Sequence, residues 1–558
     1  MARFKIPSTR LWQGITDGEW LGNFYLGKSI DLHRNKGKVL LAESLTAVFH
    51  NNASGGDADL TLPLAFVRTA ADNTDRWWLL GGKLFKTTNT DPETGWTQDA
   101  IASSPTAPLW SMIEFQDNLL VAIDANVSRL VAGTWTASWW SGLTGASTLT
   151  ASVPHRFAIF SGAVLITDGR FINTWDGTVA TDPALTLPND YQADWIVPLA
   201  DFAMIGTSSV GGNNEADIFF WDRVSSAYNS RYSVGDRAAL AGFVANGIPY
   251  VITKRGEIKR FTGQGFRTVA KFPSVEVGKD VDNINPNGVM VNENVVKILV
   301  DFGTIADPRS ISGIWTFDTD TFDLYHNGSV KNNVAKDYDQ LQLSDVGALV
   351  ATQPSQGRFL AGATAYTVYD SATRIGVFTS DEAATSGRGY IITPKIPSNN
   401  IRNWWREFFL KFRRLDTSTD RLRVLYRIQE SNTLPAYETI TWVTATTFTG
   451  TNADVAVGDF VEILAGDNAG AIAKITVITA GSPNTYTIDL TLSASTSAAR
   501  ARYLNFIDSA TISSQAIQEQ VFRTARRSNW IQFLVELRGS ETSPQLEEMI
   551  IDQDDLPL

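Results

Sequence analysis

The sequence predicts an all-β protein: an irregular β-propeller of about seven blades, then a β-sandwich into which a small β-barrel is inserted. Three observations carry this prediction. Aromatics make up 11% of the 558 residues and glycine occurs 42 times, while capped stretches of helical period are scarce. A strand–turn–strand unit ending on an aromatic recurs through the first two thirds of the chain. The last third contains long segments of strict period-two alternation.

Residues 1–40 read as an N-terminal arm. LWQGITDGEWLGNFYLG is aromatic and glycine-rich, and KSIDLHRNKGKVLLAES reads as two short strands around an Arg34-Asn35-Lys36-Gly37 turn. Residues 41–380 carry the repeat. Its units are WWLLGGKLFKTT with Trp96, NLLVAIDANVSRLVAGTW with Trp135, AVLITDGRFINTWDG with Trp175, and FAMIGTSS through DIFFWD with Trp221. PYVITKRGEIKRFTGQG with Phe261, KILVDFGT through SGIWTFDTDTF with Trp315, and GRFLAGATAYTVYDS with Tyr369 complete it. The markers recur about every 40 to 55 residues, the length of one four-stranded blade. A lone four-stranded sheet cannot bury both faces; radial stacking buries each against its neighbours, and the marker aromatic fills the wedge between them.

Residues 381–440 and 507–558 read as the sandwich. Phe408, Leu410 and Phe412 share one face of WWREFFLKFRRL, with Phe409, Lys411 and Arg413 on the other. Leu422, Val424, Tyr426 and Ile428 align in DRLRVLYRI, and Ile531, Phe533, Val535 and Leu537 in NWIQFLVELRG. Residues 514–526 fit either a short helix or a loop plus strand. The Thr-, Ala- and Gly-rich segment 441–506 is an insertion. Its centre, VGDFVEILAGDNAGAIAKITVI, resembles the strand–turn–strand motif of SH3-like barrels of the KOW type, through Gly458, Asp459, Val461, Ile463, Gly466, Gly470, Ala473 and Ile475.

Several function classes are disfavoured. The formal charge of -12 argues against general nucleic-acid binding, which needs Lys and Arg on the phosphates. With no cysteine, disulfides and thiolate metal sites are ruled out, and the four histidines, His33, His50, His155 and His326, form no zinc-binding pattern. No apolar stretch approaches the roughly 18 residues of a membrane span, and no secretory leader is visible. No P-loop, dinucleotide fingerprint or nucleophile elbow occurs, so no catalytic, cofactor or metal site is expected. Thr90 to Trp96 only approximates the Asp-box of glycosidase propellers, and Asp318 to Thr321 lacks the glycine and glutamate of a calcium loop.

One cluster stands out as a candidate docking face for an acidic partner: Arg402, Arg406, Lys411, Arg413, Arg414, Arg421, Arg423 and Arg427. The blander expectation is a solvated outer sheet face.

The aromatic-marked propeller, the cysteine-free chain without a leader, the KOW-like inset and the ending RSNWIQFLVELRGSETSPQLEEMIID together resemble virion proteins of tailed bacteriophages. The tail nozzle of short-tailed phages is the family most resembled. That resemblance implies a homo-oligomeric ring or hexameric tube, contacts with neighbouring tail, adaptor or fibre proteins, and passage of DNA without sequence-specific binding. It also implies a place in the virion after synthesis in the host cytoplasm. The alternatives are a receptor-binding adhesin for host glycans and a propeller glycosidase with two facing carboxyls.

Overall fold

The computed structural model describes residues 2–6, 26–32, 38–52, 68–69, 75–80, 83–88 and 97–98. It also describes 109–554 except 212–214, 273–279, 303–311, 329, 332–341, 354–357, 367–372, 386, 398–403, 429–437, 453, 464–470, 493–497 and 540–542. Within them the chain is all-β and contains a propeller.

Six four-stranded antiparallel sheets follow one another along the chain, and a five-stranded sheet is the seventh. Blade 1 has strands Arg68–Thr69, Asp75–Leu80, Lys83–Thr88 and Thr97–Gln98. Blades 2 to 6 begin at strands Leu109–Phe115, Phe157–Phe160, Tyr191–Pro198, Ala239–Ala245 and Val289–Asn292. Blade 7 joins Gln342–Gln353, Arg358–Tyr366 and Thr373–Thr385 to Glu43–Asn52, a strand from far earlier in the chain. The first six repeat units cover the middle strands of blades 1 to 6, and the seventh covers the strand Arg358–Tyr366 of blade 7.

The cores lie between blades, as the wedge argument requires. Phe115, Leu120 and Val127 of blade 2 meet Val164, Ile166 and Trp175 of blade 3. Leu165 and Ile172 of blade 3 meet Ile205, Phe219 and Trp221 of blade 4. Trp195 is a tight wedge. Its indole lies between Gly206 of its own blade and Gly242 of the next, where a Cβ on either glycine would collide with the ring. Its Nε1 donates to Ala239 O at 2.7 Å, so the buried ring is also hydrogen-bonded. Among the marker aromatics, Trp175, Trp221 and Trp315 are buried and Trp135 and Phe261 half-buried; Trp96 and Tyr369 lie outside the described residues.

The sandwich packs one sheet of Ala2–Ile6, Leu546–Asp554, Trp404–Phe412 and Glu519–Arg527 on a second. The second runs Leu26–Lys28, Arg388–Ile392, Trp530–Arg538, Arg421–Arg427 and Ile507–Ile512. The Phe408 and Phe533 rings stack across the two sheets at 4.1 Å. All three faces read from period-two alternation point into this core, apart from the half-buried Ile428 at its margin. Residues 513–518 form a turn region and Glu519–Arg527 a strand, so of the two readings of 514–526 the loop plus strand is the one formed.

The insertion is a closed barrel of Glu438–Thr444, Thr447–Gly450, Asn484–Ile488, Ile472–Thr479, Phe460–Ile463 and Ala498–Leu504. Val461, Ile463, Ala473 and Ile475 of the KOW-like motif fill its core with Trp442, Phe448 and Tyr486. Gly458 takes φ +105°, a backbone state that suits glycine, and donates to Ile475 O at 2.8 Å. Gly466 and Gly470 lie outside the described residues.

Residues 1–40 do not form a free arm where the structure describes them. Ala2–Ile6 pairs with Leu546–Asp554, and Leu26–Lys28 pairs with Arg388–Ile392. Ile30–Asp31 and Leu40–Leu41 pair as the expected hairpin, with the Arg34–Gly37 turn outside the described residues. Ile30, Leu32, Val39 and Leu41 share one continuous core with Trp315 of blade 6 and Phe408 of the sandwich. The segment then enters blade 7 as Glu43–Asn52. Sequence read it as a lead-in because its apolar runs are short, and only their partners elsewhere in the chain show that they are strands.

Candidate functional site: the joint between sandwich and barrel

The eight basic residues do not form one face. Arg402 lies outside the described residues. Arg406 and Lys411 are exposed on strand Trp404–Phe412, and Arg413 and Arg414 are exposed just beyond it. Arg421, Arg423 and Arg427 belong to the opposite sheet of the sandwich. The first group is interleaved with acids: Lys411 lies 3.9 Å from Glu547, and Arg413 lies 4.0 Å from Asp416. Glu407 on the same strand faces Arg523 at 3.8 Å. Acidic residues of the same strand, the turn after it and the adjoining strand thus dilute what the sequence presents as a basic run.

The second group corrects the expectation of a solvated face. Leu422, Val424 and Tyr426 enter the sandwich core, so Arg423, Leu425 and Arg427 point outward, but the barrel covers that surface. Leu425, Leu534, Tyr390 and Ile392 of the sheet pack against Phe460, Ile472, Leu504 and Phe506 of the barrel. Arg423 is buried. Its Nη2 donates to Asp489 at 2.8 Å, its Nη1 to Ile472 O at 3.3 Å, and its guanidinium lies over the Phe460 ring at 4.7 Å. Arg427 donates to Gln532 and lies over Phe506 at 5.0 Å.

At the centre of this joint is Glu462 of the barrel, whose side chain is 0% exposed. Lys28 Nζ donates to its Oε1 at 2.8 Å; Arg502 Nη2 donates to its Oε2, and so does Tyr390 OH at 3.4 Å. Burial alone pushes this carboxyl up, but Arg502 and Lys28 together hold it below the usual carboxylate range. The carboxylate therefore ties the N-terminal segment, the sandwich sheet and the barrel into one buried network. Three chain regions meet here, and Lys28 and Glu462 are 434 residues apart, so no local motif announces the site. Beside it is His326 of blade 6, also fully buried. Burial first and the Lys28 charge second push its imidazole down to about 3, so it stays neutral. Its Nδ1 accepts the Ser29 N–H at 3.3 Å.

The remaining sequence candidates are structural in character. Asp318 accepts the N–H groups of Asp320 at 2.8 Å and Thr321 at 3.2 Å, a self-capped hairpin turn. The Asp-box-like stretch at 90–96 lies outside the described residues. Trp175, Trp195, Trp221, Trp315 and Trp405 are buried, the environment of packing rather than sugar stacking. Among the described residues no group of His, Asp and Glu is placed to hold a metal ion, and no helix is long and apolar enough to cross a membrane.

Neither a protein-family model nor a curated protein matches the sequence. Solved structures with a similar fold include the WD40 domain of Pan2 from Neurospora crassa, with a TM-score of 0.38 and 9% identity over 61% of this chain and 96% of that one. The β-propeller domain of Cps50 (Swd1) from Myceliophteria thermophila has a TM-score of 0.37 and 12% identity over 59% and 99% of the two chains. The extracellular domain of a hybrid two-component system from B. thetaiotaomicron has a TM-score of 0.41 and 11% identity, over 74% of this chain and 46% of that one.

Proposed function

We propose that the chain is a structural subunit of a phage tail, a component of a nozzle-like ring or tube through which DNA leaves. One observation carries this reading: the N-terminal segment laces a propeller, a sandwich and a barrel together through buried joints. Loosely linked modules keep their relative motions unless the interface is large and apolar. Here the joints are closed by the continuous core around Ile30 and Val39 and by the Glu462 network. Such a unit suits a conduit wall, which must hold its shape while a charged polymer passes.

The net charge of -12 supports the same reading, since an acidic wall repels phosphates and lets DNA slide. The reading assigns no catalysis. Its partners are copies of the chain and neighbouring tail proteins, and it places the chain in the virion.

Light scattering of the purified chain, alone and with a candidate adaptor, tests the reading together with electron microscopy. Closed rings or tubes are the expected result. A chain that stays monomeric in both conditions and binds a host glycan would replace this reading with the adhesin one.

A further inference from the structure

On the barrel-facing surface of the second sandwich sheet, the row beyond the joint consists of arginine alone on three adjacent strands. Arg538 is the register partner of both Arg388 and Arg421. Directly opposed residues of antiparallel strands project to the same face with Cβ atoms about 4.5 to 5.5 Å apart, and like charges so placed repel. All three are half-buried, so water screens them only in part. The strain falls on the middle member: burial first, then Arg388 and Arg421, pull the Arg538 guanidinium down to about 10.

Among the described residues, the acids nearest Arg421 and Arg538 do not neutralise them. Glu536, one row closer to the barrel, is pushed up to about 7 by burial although four arginines surround it, so it is only partly ionised at neutral pH. Asp420, beside the row, has both carboxylate oxygens engaged in its own turn. They accept from Asp416 N at 3.2 Å, Thr417 N at 3.1 Å and Thr417 Oγ1 at 2.6 Å. Asp489 is bound to Arg423 and to Lys474 N. Among the described residues, no salt bridge joins Arg421 or Arg538 to a carboxylate.

We propose that this row is an oxyanion site that takes a phosphate group between Arg421 and Arg538, with Arg388 adding a third positive charge. Guanidinium forks match a tetrahedral oxyanion in geometry, and an anion held between Arg421 and Arg538 relieves the repulsion of two directly opposed cations. Orthophosphate and the phosphate ester of a larger molecule offer the same chemistry.

The test is calorimetric titration of the full chain with sodium phosphate, against sodium chloride at matched ionic strength, and in parallel with a 5′-phosphorylated dinucleotide. Saturable phosphate binding is expected, weakened at least tenfold by Arg538→Gln and by Arg421→Gln and unchanged by Lys411→Gln on the other sheet. Equal affinity for the two ligands identifies a free anion as the occupant; an ester bound tenfold tighter identifies a phosphorylated molecule. Each arginine variant removes a like-charge repulsion, so its melting temperature in phosphate-free buffer should equal or exceed that of the parent, which separates lost binding from lost folding. The proposal is overturned by binding no stronger than chloride, by binding that both arginine variants retain, or by a lowered melting temperature of both variants in phosphate-free buffer.

Discussion

Replacing Glu462 by Gln keeps the side-chain volume and removes one charge from the most buried ionic group of the joint. Its carboxylate has no exposure, while Lys28 and Arg502 are 7% and 12% exposed. The substitution thus removes the carboxylate that two nearly dry cations share. Breaking a buried pair from one side destabilises by about 3 to 5 kcal/mol, because the desolvation of the remaining charge is no longer offset. At about 1.4 kcal/mol per tenfold, that is roughly two to three and a half orders of magnitude in the local opening equilibrium. In a chain of several modules a local assay reads the joint most directly. Hydrogen exchange read on strands Phe460–Ile463 and Ala498–Leu504 meets that need. Protection there should fall by roughly 100- to 4,000-fold, with blades 2 to 4 unaffected. Glu547→Gln, at the half-exposed pair with Lys38 at 2.9 Å, serves as the control and should cost about 0 to 1 kcal/mol. Replacing Lys28, Glu462 and Arg502 together by Met, Leu and Met should restore protection, since an apolar substitute for a buried ion cluster is often neutral or better. A loss of less than tenfold in Glu462→Gln, or an equal loss in every blade, would refute the view that this carboxylate locks the joint.

Further perturbations follow from the same geometry. Gly206→Ala or Gly242→Ala forces a Cβ against the Trp195 ring, and each should lower propeller stability by about 1 to 3 kcal/mol in denaturant unfolding. Phe533→Ala removes one half of the 4.1 Å stack with Phe408 and should cost about 3 to 5 kcal/mol, read as increased protease sensitivity of the sandwich. His326 is held near 3 in the folded chain against 6.5 when unfolded, so between these values the unfolded chain binds the extra proton and stability falls as pH is lowered. That interval corresponds to at most about 5 kcal/mol, and His326→Gln should flatten the melting-temperature profile between pH 6.5 and 4 relative to the parent. Glu536 acts in the opposite direction. Its folded value of about 7 exceeds the ordinary 4.5, so its contribution is full below pH 4.5 and is lost as pH rises through 7. Glu536→Gln should flatten that limb.

How much of this could be read from the sequence depended on whether the cause was local. The alternation of Phe408, Leu410 and Phe412 shows which way the strand faces, since period two is a property of the strand itself. The repeat gives the blades because every blade makes the same wedge with its neighbours. Arg423 was misjudged for a different reason: its strand has the pattern of a sheet with one wet face, and only the docked barrel makes that face dry. Glu462 gave no signal, since its partners are Lys28, far back in the chain, and Arg502, which only strand register brings beside it on the adjacent barrel strand. The arginine row was half visible. Arg421 belongs to the basic run, but Arg388 and Arg538 join it only through sheet register. The residues before Leu41 read as an arm for the same reason: a strand of two or three residues is recognisable only beside its partner.

The central claim is that this welded unit assembles into a conduit. The most direct measurement is the mass of the purified chain in solution by light scattering, with negative-stain images of the same sample after addition of a candidate tail adaptor. The account predicts closed rings or tubes of uniform subunit number with a central opening. A chain that remains monomeric at high concentration, with the adaptor and without it, would contradict it.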